Sequence, residues 1–475
     1  MVRLRRATAL QTKLIYNMKT LTSFFAALLA LSFSATAQKE DNVWIYAGNR
    51  IDFTTEPPTV TSVGIDYVTE LNITSVADRD GRLAYWLNGT SLYNSNDELI
   101  FSMPAAQFDF YFYGLSIVPF PGRDNVYLFV YPDFKRDVMV ASIVDGSKDL
   151  LHPEITERYA EFPYYFGDGN QLPDGTPFFF QKYGSRNFWM LYSWFSKIKV
   201  YELTEDGFQY TGKVYELPRF DNKMTMLDGC EMTPDRSKIL VSVSMYGGES
   251  IFIDLDTKTG EIKSMNKVTL SSMEAWCFSS GNKYLYYSHD RSMYRIPVET
   301  LSVISTNDEF VSNSEFVGNI GCGSGDMKFL TSGGVYYMPE NGSGCIGVVR
   351  DCDSDHPTLD NQAILLTRHP KEHKASWTLA FPKTYCYPYG FTAAEQCGGE
   401  VHFAYTDDND YASLLWDFGD GTTSADPAPV HSYTANGKYT VSITINYNST
   451  DRPTRIVTQD VFVNNITKKL VIVRE

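Results

Sequence analysis

No cysteine occurs before Cys230, and none of the seven that occur from there on belongs to a Cys-x-x-Cys pair. Zinc knuckles and thioredoxin-like redox chemistry are therefore without support. Basic residues are in deficit, with 41 Lys and Arg against 57 Asp and Glu and a formal net charge of −16. A chain of that sign repels DNA, RNA and anionic membranes, which excludes a polyanion binder working through bulk charge. Beyond residue 33 no apolar run is long enough to span a bilayer. Helical periodicity is nearly absent, and only residues 148–162 have the composition of a short helix. No Gly-x-Ser-x-Gly elbow, phosphate loop or dinucleotide fingerprint sits in a strand-to-helix context; the Gly-rich stretch 321–325 leads into a strand and reads as a turn. What is abundant is aromatic side chain, 15% of the residues with 32 Tyr and 30 Phe. A disordered acidic chain lacks these, so this one has the material for real cores, and its 475 residues leave room for two or three domains.

The amino terminus has the form of an export signal. Five bases (Arg3, Arg5, Arg6, Lys13, Lys19) and no acid lie in residues 1–37. An apolar run at 21–33 (LTSFFAALLALSF) is followed by the small residues of Ala35-Thr36-Ala37, which places cleavage before Gln38. Met18 stands where a signal of ordinary length would begin. A membrane anchor is the competing reading, and the run is too short for about 30 Å of hydrocarbon. Without the leader, 36 bases face 57 acids and the charge deepens to −21. The expected address is secreted or cell-surface, with the periplasm as a further stop. In an oxidising compartment some cysteines should pair, the nearest in sequence being Cys345 with Cys352 and Cys386 with Cys397, while the odd count leaves at least one over.

Residues 38–385 repeat short β-rich runs broken by turn residues. The stretches 232–242 (MTPDRSKILVS) and 278–288 (FSSGNKYLYYS) read alike, each a polar turn entering a strand. A third copy is read at 323–330, so that Lys238, Lys283 and Lys328 stand at equal steps of 45 residues. A period of 40–50 residues holding four short strands marks a β-propeller, here of about seven blades. A β-sandwich array is the alternative. Residues 386–395 read as a linker, 396–465 as a small seven-stranded sandwich, and 466–475 as a tail. The fold class expected is therefore all-β, a propeller followed by an immunoglobulin-like sandwich.

Within the sandwich, 416–424 (WDFGDGTTS), 429–433 (PVHSY) and 437–442 (GKYTVS) resemble a PKD domain in order and spacing. That resemblance implies an extracellular module used as a spacer, adhesion unit or substrate-binding accessory. The front part resembles a family of exported Bacteroidota proteins that join a propeller-like domain to PKD modules. The likeness is carried by 44–48 (WIYAG), 51–53 (IDF), Glu70 with 78–89 (DRDGRLAYWLNG), and 116–122 (SIVPFPG). Many such proteins end in a sorting domain for type IX secretion, which the ten residues after 465 are too few to form.

Candidate chemistry is sparse. Asp351, Asp353 and Asp355 space three carboxylates at i, i+2 and i+4, compatible with Ca2+, but the glycine at the sixth loop position and the glutamate at the twelfth are replaced by His356 and Gln362. A solvated acidic loop is the competing reading, and no other cofactor is indicated. His369 and His373 lack the glutamate of a zinc-protease helix, and Pro370 interrupts any helix start. Glu70, Asp228, Glu231 and Glu274 each precede a turn-and-strand block, where a propeller turns toward its central channel. There they could bind ligand or, in pairs, act as glycosidase acid and base, against the plainer reading of a solvated acidic rim. Trp276, Tyr113 and Phe112 lie near the same rims and could stack on sugar rings, against the plainer reading of core aromatics.

The expectation is an extracellular binding or adhesion protein without catalysis, whose partner is a glycan or a surface protein and neither nucleic acid nor a membrane span. A carbohydrate-active hydrolase or lyase with an accessory PKD module is the alternative, and a surface-layer component a third. Mass spectrometry of the exported product checks the address. A mature amino terminus at Gln38 is expected, and an intact leader would overturn the cleavage assignment.

Overall fold

The computed structural model describes residues 43–65, 74–102, 116–163, 177–218, 230–242, 249–269, 275–320, 327–330, 334–337, 344–367, 391–395, 399–405, 411–448 and 454–463, apart from a few single positions and short turns inside those ranges. Among them the chain is nearly all strand, in two units.

The first unit is a succession of antiparallel sheets, each made of consecutive strands. Val43–Tyr46, Asn49–Asp52 and Thr59–Ser62 form a three-stranded first sheet. Six four-stranded sheets follow, beginning with the strands Thr74–Ala77, Ser116–Pro119, Pro177–Gln181, Cys230–Met232, Ala275–Phe278 and Met327–Leu330. Each sheet is covered on both faces by its neighbours. Many inner and second strands therefore read as continuous apolar runs, and every residue of Leu83–Asn88, Ser116–Pro119 and Pro177–Gln181 is buried, while outer strands such as Gly207–Glu216 are largely exposed.

The packing between sheets closes a ring. Ile45 and Trp86 join the first sheet to the second, Leu87 and Phe129 the second to the third, and Val130 and Met190 the third to the fourth. Leu191 meets Ile253 between the fourth and fifth, Leu240 meets Leu285 between the fifth and sixth, and Tyr286 meets Val335 between the sixth and seventh. The circle is completed by Trp44 and Ile51 of the first sheet packing on Ile346 and Ile364 of the seventh. Seven sheets in a closed ring are a seven-bladed β-propeller.

A buried polar clasp accompanies that last contact. The Thr367 amide and hydroxyl both donate to Asn49 Oδ1 at 2.9 Å across 318 residues, and Asn49 Nδ2 donates to the Tyr46 carbonyl at 3.2 Å.

Two expectations change. The 45-residue step fails at its third member. Lys238 opens the second strand of the fifth sheet (Lys238–Ser242) and Lys283 precedes that of the sixth (Tyr284–His289), but Lys328 lies in the first strand of the seventh, whose second strand is Gly334–Tyr337. The cause is an insertion in the sixth sheet between Ser292–Pro297 and Glu315–Asn319, made of a 3-10 turn (Val298–Ser302) and a helix (Asn307–Ser312). Thr306 and Glu309 cap that helix reciprocally, and Phe310 packs 5.0 Å from Tyr287. Nor is 148–162 a helix. Glu154–Pro163 is the outer strand of the third sheet, since Pro153 lacks the amide a helix would need there.

The second unit is a seven-stranded sandwich. One sheet contains Phe391–Glu395, Glu400–Tyr405 and Val430–Ser432; the other contains Thr423–Ser424, Tyr411–Asp417, Gly437–Tyr447 and Arg455–Val463. Its first strand thus lies inside the stretch read as linker, because Phe391 fills the core beside Trp416, 5.0 Å between ring centres. Gly419 turns the chain at φ +77°, where a Cβ would stand 2.5 Å from the Thr440 carbonyl oxygen. The buried Tyr433 hydroxyl donates to the Phe418 carbonyl at 2.9 Å and pins the corner.

Asn49→Ala removes the acceptor of the closing clasp. A loss of about 1–3 kcal/mol of propeller stability is expected, read as a lower unfolding midpoint in denaturant. An unchanged midpoint would mean that the clasp contributes nothing to closure.

Candidate functional site

In the four-stranded sheets the first strands of neighbours approach one another, as Cys230–Met232 does Ala275–Phe278 and Ala275–Phe278 does Met327–Leu330. The first strand is therefore the one nearest the axis. Because directions alternate along each sheet, the connections into these inner strands open on one face of the ring, together with those between second and third strands. The other face carries the first-to-second and third-to-fourth turns. The connections that lead into inner strands include the long stretches 103–115, 164–176 and 217–229, which lie outside the described residues except for 217 and 218; the second face is built mostly of tight turns such as 205–206 and 257–260.

Glu70, Tyr113, Asp228 and Glu274 belong to the connections that feed the inner strands Thr74–Ala77, Ser116–Pro119, Cys230–Met232 and Ala275–Phe278, and they lie outside the described residues, as does Phe112. Glu231 and Trp276 are within the described strands. Glu231 is paired with Leu240, so its side chain shares the face on which Leu240 packs toward the sixth sheet. Trp276 packs into that same cluster from the other side. The fold thus brings a carboxylate and an indole to facing inner strands.

Trp276 also heads a row of aromatics in register across the whole sixth sheet, through Tyr287 and Tyr294 to Phe316. Tyr287 and Tyr294 stack at 5.5 Å, and Phe316 meets Tyr294 edge-on at 5.7 Å. Trp276, Tyr287 and Tyr294 pack in the cluster between the fifth and sixth sheets, and Phe316 is exposed. At the axial end the Trp276 Nε1–H is buried and has no hydrogen-bond partner among the described residues.

The aspartate triad, expected as a candidate Ca2+ site, makes contacts of its own with the sixth sheet. Asp353 accepts the Ser279 hydroxyl at 2.5 Å and the Gly281 amide at 2.7 Å, so it ties the seventh sheet to a turn of the sixth. Asp355 faces Lys283 at 3.4 Å, and Asp351 is exposed at φ +52°. The carbonyls of Ser354 and Asp355 accept Arg295 Nη1 and Nη2 at 2.6 and 3.3 Å. Arg295 is only 2% exposed; it lies 4.1 Å from the centre of the Tyr284 ring and donates through Nε to Glu315 at 2.8 Å. Burial works against its charge, and hydrogen bonds to Tyr286 and Glu315 outweigh that and raise its pKa. The cations this loop holds are therefore the guanidinium of Arg295 and the ammonium of Lys283. Among the described residues no three His, Cys, Asp or Glu side chains form a metal-ligand set. Sequence reasoning missed Arg295, whose signal was a lone charge inside the apolar strand Ser292–Pro297.

Residues 391–463 match the family model of the PKD domain. The C-terminal sandwich is a PKD domain. It is similar to the PKD1 domain of the Vibrio cholerae metalloprotease PrtV, at 31% identity over 16% of this chain and 91% of that one, with a TM-score of 0.14. The propeller is similar to the Dos1 propeller, at 11% identity over 68% of this chain and 79% of that one, TM-score 0.38. It is also similar to a putative 6-phosphogluconolactonase from Bacteroides uniformis, at 12% identity over 68% and 93%, TM-score 0.42. No curated protein matches the chain.

Arg295→Met strips the cation from the 351–355 loop and leaves its carbonyls unpaired. A destabilisation of about 3 kcal/mol or more is expected in thermal or denaturant unfolding. Adding about 1 mM Ca2+ to the unaltered protein should leave its melting temperature where it was. A Ca2+-dependent rise would return the triad to metal binding.

Proposed function

We propose that this chain is an exported binding protein that holds an extracellular glycan at the long-loop face of its propeller, with the PKD domain as a rigid accessory. The juxtaposition of Glu231 and Trp276 on facing inner strands carries the reading. An indole offers a flat apolar face for a sugar ring, and a carboxylate accepts sugar hydroxyls. Asp228 and Glu274 stand just upstream of the same two strands in sequence. The charge of −21 after removal of the leader disfavours anionic polysaccharides, so the glycan is neutral or carries amines. The PKD domain supports an extracellular setting, and export through the amino-terminal signal supplies the route to the cell surface or the medium.

A glycan array probed with the 38–475 product tests this, with reducing-sugar release measured on every hit. Binding without release is expected, weakened about tenfold or more by Trp276→Ala and by Glu231→Gln. Absence of any glycan hit, or hits indifferent to both substitutions, would overturn the site. Release of reducing ends that is lost in Glu231→Gln, Glu70→Gln or Glu274→Gln would replace binding by glycoside hydrolysis.

A further inference from the structure

The tight-turn face of the propeller carries a second built surface. We propose that this surface is a socket for the chain's own PKD domain, which is seated on the fourth and fifth sheets in one fixed orientation and leaves the long-loop face free.

The contact that crosses between the units is a hydrogen bond from the Tyr183 hydroxyl to the His402 carbonyl, 2.7 Å long and 219 residues apart in sequence. Tyr183 sits in the turn between Pro177–Gln181 and Phe188–Trp194 of the fourth sheet; His402 lies in the PKD strand Glu400–Tyr405. A single hydrogen bond on a mobile side chain would not fix a domain, but this phenol is held from several directions. Its own amide donates to the Thr257 carbonyl at 3.0 Å, in the 257–260 turn of the fifth sheet. Trp189 Nε1 donates to the same carbonyl at 2.8 Å. Lys258 stands with its ammonium 4.7 Å from the centre of the Tyr183 ring.

The turn beneath is equally constrained. Asp256 Oδ1 accepts the amides of Lys258 and Thr259 at 2.9 and 3.2 Å, and Lys213 Nζ donates to the Thr259 carbonyl. Gly260 adopts φ +68°, and a Cβ there would stand 2.9 Å from the Trp189 ring, so only glycine lets the indole close over the turn. On the PKD side, His402 Nε2 lies 2.7 Å from Glu400 Oε1, which fixes the side chain of the residue whose carbonyl is held. Burial pushes the Tyr183 phenol up to about 12, so it stays a neutral donor throughout the physiological range. Two turns, one from each sheet, thus present a pre-ordered donor to the PKD backbone. Little conformational entropy remains to be lost when the units meet.

Small-angle X-ray scattering of the 38–475 product tests the socket. The unaltered protein should give a profile accounted for by one domain arrangement. Tyr183→Glu, which places a carboxylate against the His402 carbonyl, should raise the radius of gyration and the maximum dimension while the circular dichroism of both units stays the same. A wild-type profile that needs a range of domain orientations would overturn the proposal, and so would a folded Tyr183→Glu protein with an unchanged profile. Should Tyr183→Glu not fold, Tyr183→Phe carries the test, since it keeps the ring on Lys258 and loses only the donor. Amide exchange in 182–187 and 400–405 should then rise about threefold or more, and exchange at the wild-type rate would overturn the socket.

Discussion

Covering both faces of every sheet is the constraint on which this molecule depends. A four-stranded sheet of the composition seen here, with strands such as Tyr284–His289 buried along most of their length, cannot be left open to water on either side. Stacking sheets in a line only moves the problem to the two ends. Closing the line into a ring removes the ends, and the packing of Trp44 and Ile51 against the seventh sheet is where that happens. It is at this junction that a buried asparagine of the three-stranded first sheet bridges residues near the two ends of the propeller.

Charged groups inside such a ring need partners, and the neighbouring blade supplies them. The 351–355 loop shows how. Its carbonyls and carboxylates converge on a turn of the sixth sheet, and the positive charge that satisfies them arrives on Arg295 and Lys283 of that sheet. A side-chain cation tethered to the adjacent blade does what a bound ion would do for the loop and also fastens two sheets together. The spacing of carboxylates by itself does not distinguish these outcomes, because both need oxygen atoms at similar intervals.

The two faces of the ring differ for a reason rooted in strand direction. Several connections between sheets are long, while most described turns on the tight-turn face are short and locked by groups such as Asp256 and Trp189. A surface of constrained turns is suited to seating a rigid module, and one of long connections is suited to recognising a ligand. Of the acidic and aromatic candidates, Glu231 and Trp276 lie on described inner strands, and the contact with the PKD domain falls on the tight-turn face.

Much of this was legible in the residues. The polar turn followed by an apolar strand, repeated along the front of the chain, specifies blades, and Trp416, the Gly419-Asp420-Gly421 turn and Tyr433 specify the sandwich, since core fillers and positive-φ turns leave local marks. The aromatic wealth that these elements consume was also plain. What the residues did not show were relations between distant segments. The insertion at 298–312 shifted the phase of the repeat, so equal spacing of lysines misplaced the third. Phe391 joined the sandwich because a partner ring waited 25 residues away at Trp416. Asp353 became a clamp because Ser279 and Gly281 lie across a blade boundary, and Glu231 and Trp276 came onto neighbouring inner strands because two sheets stack. Local chemistry determines strands and turns by short-range sterics and burial pattern; which carboxylate meets which cation is decided only when the ring closes.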